Sequence, residues 1–393
     1  MKLNKIVVII LISIFLLGVS SMVVNAETRN LTPVEIHGKL KLDGTNIVDK
    51  NGNKFQIRGI STHGIAWFPQ YINQEAFIDL RDNWKINTIR LALYSDPGAG
   101  YTRDLRSKVK EGVEYARNAG LYVIIDWHTL NDNVNANKTE AIDFFREMAN
   151  LYRDYDNVIY EVCNEQTNQV SWNNEIKPYA EELIKEIRNI DKEHLIIVGC
   201  STWCQDVDIV SQNPIEGENI LYSCHFYAAT HKDNIRSKLQ TALNNNLPVI
   251  ISEFGISEAS GNGNVDREEA NRWMSIIDEN NLGYICWNLS NKNETSSLLS
   301  SSTNKVSGWT YDELSEEGKW LQDKLKSYPE EKVEQKEEPK QETQEVQESD
   351  IIVEEVKEDT NLKNIVLIII ASLAIVIAVI ATIVLTIKIT KKR

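Results

Sequence analysis

Eight short runs of β-branched, aliphatic and aromatic residues alternate along this chain with stretches whose apolar residues recur at helical spacing. The runs cover residues 56–62, 86–94, 121–128, 157–165, 195–200, 220–227, 248–255 and 283–290, and residues 105–119 and 178–190 are two of the helical stretches. Eight strand–helix repeats predict a parallel sheet closed into a (β/α)8 TIM barrel. A doubly wound open sheet is the alternative, but it rarely needs eight regular repeats.

Two dipeptides ahead of the first run indicate a small additional sheet. Asp43-Gly44 and Asn51-Gly52 are typical of tight hairpin turns. We therefore expect a small N-terminal β cap before the first barrel strand.

The two ends of the chain differ from this α/β region. Residues 1–26 combine two lysines, an apolar run and small residues up to Ala26, which predicts a secretory signal peptide, with an uncleaved anchor as the alternative. Residues 365–387 carry no charge and are long enough to span a bilayer as a helix, and the basic residues 388–393 predict a cytoplasmic tail. We expect a single-pass cell-membrane protein whose globular part lies outside the cell.

Residues 329–362 are rich in Glu, Lys and Gln, have no aromatic residue and carry nine of the fifteen net negative charges. This composition cannot bury enough apolar surface to fold alone, so we predict an acidic linker, either extended or a solvated helix. The globular domain is then expected at residues 34–328. The acidic balance of the chain argues against a nucleic-acid-binding protein, whose binding surface is basic.

Seven of the eight predicted strands end in polar or aromatic side chains. These are His63, Arg90 with Tyr94, Asp126 with Trp127 and His128, Asn164 with Glu165, His225 with Tyr227, Glu253, and Trp287 with Asn288. In a (β/α)8 barrel the carboxyl ends of the strands form the catalytic face. Because burial of such groups is costly unless each has a partner, the pattern indicates a functional site.

Glu165 and Glu253 end the fourth and seventh predicted strands, so we expect them on opposite sides of the barrel mouth. Two carboxyl groups that flank one bond are what glycoside hydrolysis requires, one to donate a proton and the other to attack the anomeric carbon or activate water. An ion pair inside the barrel is the structural alternative for each. Arg90 would favour an ionised carboxylate, and Asn164 could bind a sugar 2-hydroxyl.

The other polar and aromatic candidates carry weaker signals. Asp126 and Glu161 precede the strand ends and are predicted to pair inside the barrel. His128 and His225 could orient carboxylates or bind hydroxyl groups, and since the sequence has no HxH or HExxH pattern we predict neither a metal nor a cofactor. Three tryptophans are candidate platforms for sugar rings: Trp67, Trp203 and Trp287. Three others lie in helical stretches and are predicted core residues: Trp84, Trp273 and Trp320.

Five cysteines in a chain predicted to be exported cannot all pair with one another. Cys163, Cys224 and Cys286 lie in strand-like runs, so we expect small buried hydrophobic residues there. Cys200 and Cys204 flank a loop and could form a disulfide.

Eight stretches of sequence carry a family resemblance. They are Arg58-Gly-Ile-Ser-Thr-His-Gly64, Asn87-Thr-Ile-Arg-Leu91, Asp126-Trp-His128, Tyr160-Glu-Val-Cys-Asn-Glu165, Trp203-Cys-Gln-Asp-Val207, His225-Phe-Tyr-Ala-Ala229, Ile251-Ser-Glu-Phe-Gly255 and Trp287-Asn-Leu-Ser-Asn-Lys292. With them, residues 37–328 resemble a bacterial catalytic domain of glycoside hydrolase family 5, of the endo-β-1,4-glucanase (cellulase) type.

The resemblance implies that Glu165 is the acid/base and Glu253 the nucleophile of a retaining double displacement. It also implies a set of side chains around the cleavage point: His63, Arg90, His128, Asn164, His225, Tyr227 and Trp287. Positions toward the non-reducing end of the substrate are matched by Trp67, Tyr94 and Lys292, and a position on the leaving-group side by Trp203. Six residues depart from the family pattern. Gln166 stands where the family usually has proline, which leaves the rigidity of that loop in doubt, and Ala66 stands where relatives have glutamine. Cysteines replace common small residues at positions 163, 204, 224 and 286.

Three functions are compatible with these observations. The first is a surface-anchored endo-β-1,4-glucanase with a monomeric catalytic domain and β-glucan as its substrate. The second is an endo-hydrolase of another β-glycan, such as mixed-linkage glucan, xyloglucan or glucomannan. The third is a non-catalytic glycan-binding protein, which would not need both carboxylates with Arg90 and Asn164 intact.

Overall fold

The computed structural model of this chain describes residues 31–130 and 133–329. The predicted signal peptide (1–26), the predicted linker from residue 330 onward, the predicted membrane helix (365–387) and the basic tail (388–393) lie outside the described residues. Within the described ranges, no helix combines the length and the apolar character needed to cross a bilayer.

Eight parallel strands form a closed barrel, and two more form a separate hairpin. The hairpin pairs β1 (Lys41–Asp43) with β2 (Asn46–Val48). The barrel strands are β3 (Arg58–Thr62), β4 (Thr88–Tyr94), β5 (Tyr122–His128), β6 (Val158–Glu161), β7 (Ile196–Val198), β8 (Ile220–Tyr227), β9 (Val249–Gly255) and β10 (Tyr284–Leu289). Each strand pairs with the next along the chain, and β10 closes onto β3, which confirms the predicted (β/α)8 barrel.

One short α-helix of the described ranges precedes the hairpin, and the other nine follow the barrel strands around the outside of the barrel. They are α1 (Pro33–His37), α2 (Gln74–Asp79), α3 (Leu105–Ala119), α4 (Lys138–Tyr152), α5 (Lys177–Arg188), α6 (Ser201–Cys204), α7 (Val207–Val210), α8 (Asp233–Asn244), α9 (Arg267–Glu279) and α10 (Glu316–Lys326). Most of them bury one apolar face against the strands, and Trp84, Trp273 and Trp320 are buried core residues, as predicted.

The hairpin packs on the end of the barrel opposite the strand ends that carry the polar residues. Leu40, Ile47 and Phe55 form one apolar cluster with inward-facing residues of the strands, among them Ile124 and Leu221. Gly44 has a φ of 59°, the left-handed conformation that the turn between β1 and β2 requires. The predicted N-terminal β cap is therefore present.

The fourth barrel strand is shorter than the sequence suggests. It ends at Glu161 rather than at Glu165, and the chain then bends between neighbouring elements. Val162 N donates to the carbonyl of Ile197 at 3.0 Å, whereas Glu165 N donates to the carbonyl of Thr129 at 3.1 Å. Because the hydrogen bonds of this segment switch from β7 to the loop after β5, Glu165 is carried past the strand end toward the barrel mouth.

Candidate active site

Glu253 lies near the end of β9, on the floor of the cleft at the carboxyl ends of the strands. Its side chain is 6% exposed. The Tyr227 hydroxyl donates to Glu253 Oε1 at 2.8 Å, and Arg90 Nη1 lies 3.4 Å from Glu253 Oε2. A phenol and a guanidinium therefore both donate to the Glu253 carboxyl group.

Arg90, on β4, is a buried cation that organises this floor. Its N–H groups face five side chains: Glu161 at 2.7 Å, Asn164 at 2.7 Å, Asp126 at 3.0 Å, Ser61 at 3.3 Å and Glu253 at 3.4 Å. Burial opposes its charge, but the three carboxylates outweigh that effect and raise its pKa. The predicted internal pairing of Asp126 and Glu161 is confirmed, with Arg90 as their common partner.

Glu165 lies across the cleft from Glu253 and is more open, with 15% of its side chain exposed. Its Oε1 lies 2.9 Å from Nδ1 of His225. Burial disfavours a charged His225, but its contacts with Cys204 and Glu165 raise its pKa well above the ordinary value. The register of the sheet pairs His225 with Glu253 on adjacent strands, which brings the two predicted carboxyl groups to one site.

One oxygen of Glu165, one oxygen of Glu253 and a ring nitrogen of His225 all lie within 4.8 Å of one another. These three side chains are of types that can bind a metal ion. Both ring nitrogens of His225 already have hydrogen-bond partners, Glu165 and Ser252, so a metal ion would have to displace one of them. The spacing of the two carboxyl groups suits an attack and a proton transfer at a single bond between them.

Asn164 and His128 are buried next to each other and belong to the network around Arg90. Asn164 is buried, its Oδ1 accepts from Arg90, and its Nδ2 lies 3.1 Å from the carbonyl of Thr129 and 3.3 Å from His128 Nε2. Nδ1 of His128 pairs with Asp126 at 2.7 Å, and burial together with Arg90 lowers the pKa of His128 to about 3. The longer contact of Asn164, to a neutral imidazole, is the one that a sugar hydroxyl could replace.

Aromatic rings form one wall of the cleft. Tyr94 and His128 stack with ring centroids 4.6 Å apart, and Trp287 stacks on His128 at 5.1 Å. His63 lies 5.4 Å from the Trp287 ring. The structure thus brings these four predicted residues together as one surface of apolar ring area.

Lys292, which is predicted to contact sugars toward the non-reducing end, is joined to this wall through His63. Lys292 Nζ lies 3.5 Å from His63 Nε2 and 2.5 Å from Glu294. Burial and Lys292 lower the pKa of His63 to about 4, so the ring is neutral at ordinary pH. Trp67 is 57% exposed and is held by an Nε1 hydrogen bond to the carbonyl of Ala99 at 3.1 Å.

The loop of Trp203 is hydrogen-bonded to the loop of Glu165. Trp203 is 39% exposed, and its backbone N–H donates to the carbonyl of Gln166 at 2.7 Å. The Gln166 side chain is buried, donates to Thr129 Oγ1 at 2.8 Å and accepts from Val134 N at 2.9 Å. Hydrogen bonds to the loop after β5 and to the loop of Trp203 therefore restrain this segment at the position where the family usually has proline.

All five cysteines lie within the described residues and are buried free thiols. Cys163, Cys224 and Cys286 are small buried residues, as expected. Cys200 and Cys204 do not form a disulfide; instead the backbone N–H of Cys200 donates to Sγ of Cys204 at 3.2 Å.

Three residues of the site escaped the sequence reasoning. Gln166 was noted only as a departure from proline, and Glu294 follows Lys292 by two positions in a loop without a strand signal. Ser252 precedes Glu253 and bonds His225 at 2.8 Å. A serine inside an apolar strand is a signal that could have been read, because a buried hydroxyl needs a partner.

Comparison with known proteins places the chain among glycan-degrading enzymes. The family Cellulase (glycosyl hydrolase family 5) matches residues 48–293. An endoglucanase of Clostridium saccharobutylicum is 40% identical over 312 residues, which are 78% of this chain and 69% of that protein. Endoglucanase A of Butyrivibrio fibrisolvens is 42% identical over 301 residues, which are 74% of this chain and 70% of that protein.

Solved structures give the same result. A variant of the catalytic domain of the Thermobifida fusca endoglucanase Cel5A, in complex with cellotetraose, has a TM-score of 0.72 at 34% identity and covers 76% of this chain and 100% of its own. The family match covers more than half of the chain, and the barrel and cleft agree with it. The chain therefore belongs to glycosyl hydrolase family 5, the cellulase family, and is a glycoside hydrolase.

Proposed function

We propose that the protein is a retaining endo-β-1,4-glucanase that hydrolyses internal bonds of cellulose or a related β-glucan without a cofactor. The observation that carries the proposal is the separation of Glu165 and Glu253, which have carboxyl oxygens within 4.8 Å of each other. Retaining enzymes hold the two groups about 5–5.5 Å apart, whereas inverting enzymes need roughly 6.5–9.5 Å to admit a water. The related endoglucanases, one of them in complex with cellotetraose, support the choice of substrate.

The surroundings of the two carboxyl groups support different roles. Glu253 is the more buried and receives hydrogen bonds from Tyr227 and Arg90, which suits an ionised nucleophile. In the first step Glu253 attacks the anomeric carbon while Glu165 gives its proton to the departing glycosidic oxygen. In the second step Glu165 takes a proton from water, which releases the sugar from Glu253.

The remaining site residues would hold the polymer along the cleft. We propose that seven side chains surround the sugar whose bond is cut: His63, Arg90, His128, Asn164, His225, Tyr227 and Trp287. Trp67, Tyr94 and Lys292 would contact sugars toward the non-reducing end, and Trp203 would contact sugars of the leaving group. Exposed rings at both ends suit a substrate that extends past the cleavage point in both directions, as an internal bond does.

The stereochemistry of the first product tests the proposal. Proton NMR of cello-oligosaccharide hydrolysis should show the β-anomer first, with the α-anomer appearing later by mutarotation. Initial release of the α-anomer would overturn the retaining mechanism. Glu253→Ala should abolish hydrolysis of a soluble cellulose derivative with an unchanged circular dichroism spectrum, and initial rates on mixed-linkage glucan, xyloglucan and glucomannan would rank the alternative substrates.

We further propose that the enzyme is exported and held at the cell surface. Support comes from the sequence, namely the signal-like residues 1–26 and the apolar run at residues 365–387 followed by basic residues. In intact cells, external protease should release a soluble active fragment, whereas a chain truncated after residue 362 should appear in the medium. Activity that is protected from protease until the cells are lysed would refute this location.

A further inference from the structure

A buried chain of hydrogen bonds runs beneath the cleft from Glu165 to Arg90. His225 Nδ1 lies 2.9 Å from Glu165, and His225 Nε2 lies 2.8 Å from Ser252 Oγ. Ser252 Oγ lies 2.7 Å from Glu161 Oε1, and Glu161 Oε2 accepts from Arg90 Nε at 2.7 Å. His225, Ser252 and Glu161 are all buried, so their own donors and acceptors set the direction of the chain.

The direction follows from the arginine end. Arg90 can only donate hydrogen bonds, so Glu161 accepts from it through Oε2. The hydroxyl group of Ser252 donates to the other oxygen of Glu161, Oε1. Ser252 then has lone pairs to offer to its other neighbours, Nε2 of His225 and the hydroxyl of Ser223 at 2.7 Å. Both neighbours must donate to Ser252, which places a proton on Nε2 of His225.

The charges around His225 favour a proton on its second ring nitrogen, Nδ1. The titratable groups that face His225 are Asp126, His128, Glu161, Glu165, Cys204 and Glu253. Burial raises the pKa of the Cys204 thiol and lowers that of the His128 imidazole, so both groups beside His225 are neutral. Arg90 is in contact with Asp126, Glu161 and Glu253, and a doubly protonated His225 places a second positive charge beside Glu165 and Glu253.

We propose that Ser252 and Glu161 are positioning residues that keep both ring nitrogens of His225 protonated, so that Nδ1–H donates to Glu165 Oε1 throughout the reaction. The proposal rests on the acid/base role of Glu165 proposed above. The second oxygen of Glu165 is left for the substrate, and its proton passes to the glycosidic oxygen as the C–O bond breaks. The carboxylate that forms on Glu165 is stabilised by His225, which keeps both of its protons, and water returns a proton to Glu165 in the second step.

The test uses Ser252→Ala in the full-length enzyme and compares kcat/KM on two kinds of substrate. Cello-oligosaccharides have a poor leaving group that needs the acid, whereas 2,4-dinitrophenyl β-cellobioside has a leaving group that does not. We expect kcat/KM to fall roughly 10- to 150-fold on cello-oligosaccharides, the effect of one hydrogen bond to a charged group, and by less than about 3-fold on the aryl substrate.

Ser223→Ala is the matched control, because it removes a buried hydroxyl that contacts Ser252 but lies off the path to Glu161. It should leave both kcat/KM values within about 3-fold of wild type. Should Ser252→Ala not fold, Ser252→Cys keeps the volume with a poor hydrogen-bonding group and should show the same split between substrates.

Two outcomes overturn the proposal: an equal loss on both substrates for the Ser252 variants, or a Ser223→Ala variant with the same split. Glu165→Ala, measured in parallel, separates this failure from that of the acid/base assignment. It should lose roughly 100- to 10,000-fold on cello-oligosaccharides and little on the aryl substrate. If Glu165→Ala itself shows no split, the assigned role of Glu165 is wrong, whatever Ser252 does.

Discussion

Gln166 ties the loop of Glu165 to two neighbouring segments, and its removal should weaken the fold by an amount that the contacts define. Gln166→Ala leaves the backbone N–H of Val134, which lies in a buried position, without its 2.9 Å acceptor. An orphaned buried donor costs about 1–3 kcal/mol, and the lost hydrogen bond to Thr129 adds about 1 kcal/mol. Thr129 Oγ1 still accepts from Asn164 N at 3.1 Å, so no second orphan arises.

The expected loss of about 2–4 kcal/mol translates into a thermal shift. A domain of about 300 residues has an unfolding entropy of about 0.6 kcal/mol/K, so the midpoint should fall by roughly 3–6 °C. Activity at 25 °C should stay within a few-fold of wild type, because the hydrogen bond from Trp203 N goes to the backbone carbonyl of Gln166, which the substitution retains.

Thermal unfolding followed by circular dichroism measures this shift, and Gln169→Ala provides the control. Gln169 lies on the same loop but is exposed, so its substitution should change stability by less than about 0.5 kcal/mol. If the two variants unfold within about 1 °C of each other, the side-chain hydrogen bonds of Gln166 do not restrain the loop and the reasoning fails.

Three further predictions follow from other parts of the molecule. Trp203→Ala should raise KM on cello-oligosaccharides roughly 2- to 12-fold, the effect of one lost contact between an aromatic ring and a sugar, with an unchanged unfolding midpoint. A KM equal to that of wild type would refute a role for Trp203 in substrate binding. Burial raises the pKa of Glu317 to about 8, so the folded state holds a proton that the unfolded state loses above about pH 4.5, and stability should decline between these values. Glu317→Gln lacks this titration, so its midpoint should rise relative to wild type from pH 5 to pH 8, and a constant difference would contradict the prediction. The five buried thiols should react with Ellman's reagent after denaturation but not in the native enzyme.

The sequence alone determined the architecture and singled out the two carboxyl groups that we propose as reactive. Eight alternating strand and helix patterns are local signals, and they predict the barrel because each short buried strand and each amphipathic helix is encoded within its own residues. Glu165 and Glu253 could be selected because the catalytic face of a barrel lies at the carboxyl ends of its strands. The strand end was misplaced for Glu165, which lies four residues past the end of β6 at Glu161.

Tertiary structure decided which side chains meet. Ser252 and Glu161 are 91 positions apart in the chain, yet their side chains lie 2.7 Å from each other inside the barrel. That contact depends on the shear of the closed sheet and on the switch of the chain after β6, neither of which leaves a periodic signal. The same holds for Gln166, whose side-chain partners lie in the loop after β5. Hydrophobic periodicity is a property of neighbouring residues, whereas hydrogen-bond partners are set by the register between distant strands, so the sequence specified the barrel and the packed structure specified its polar network.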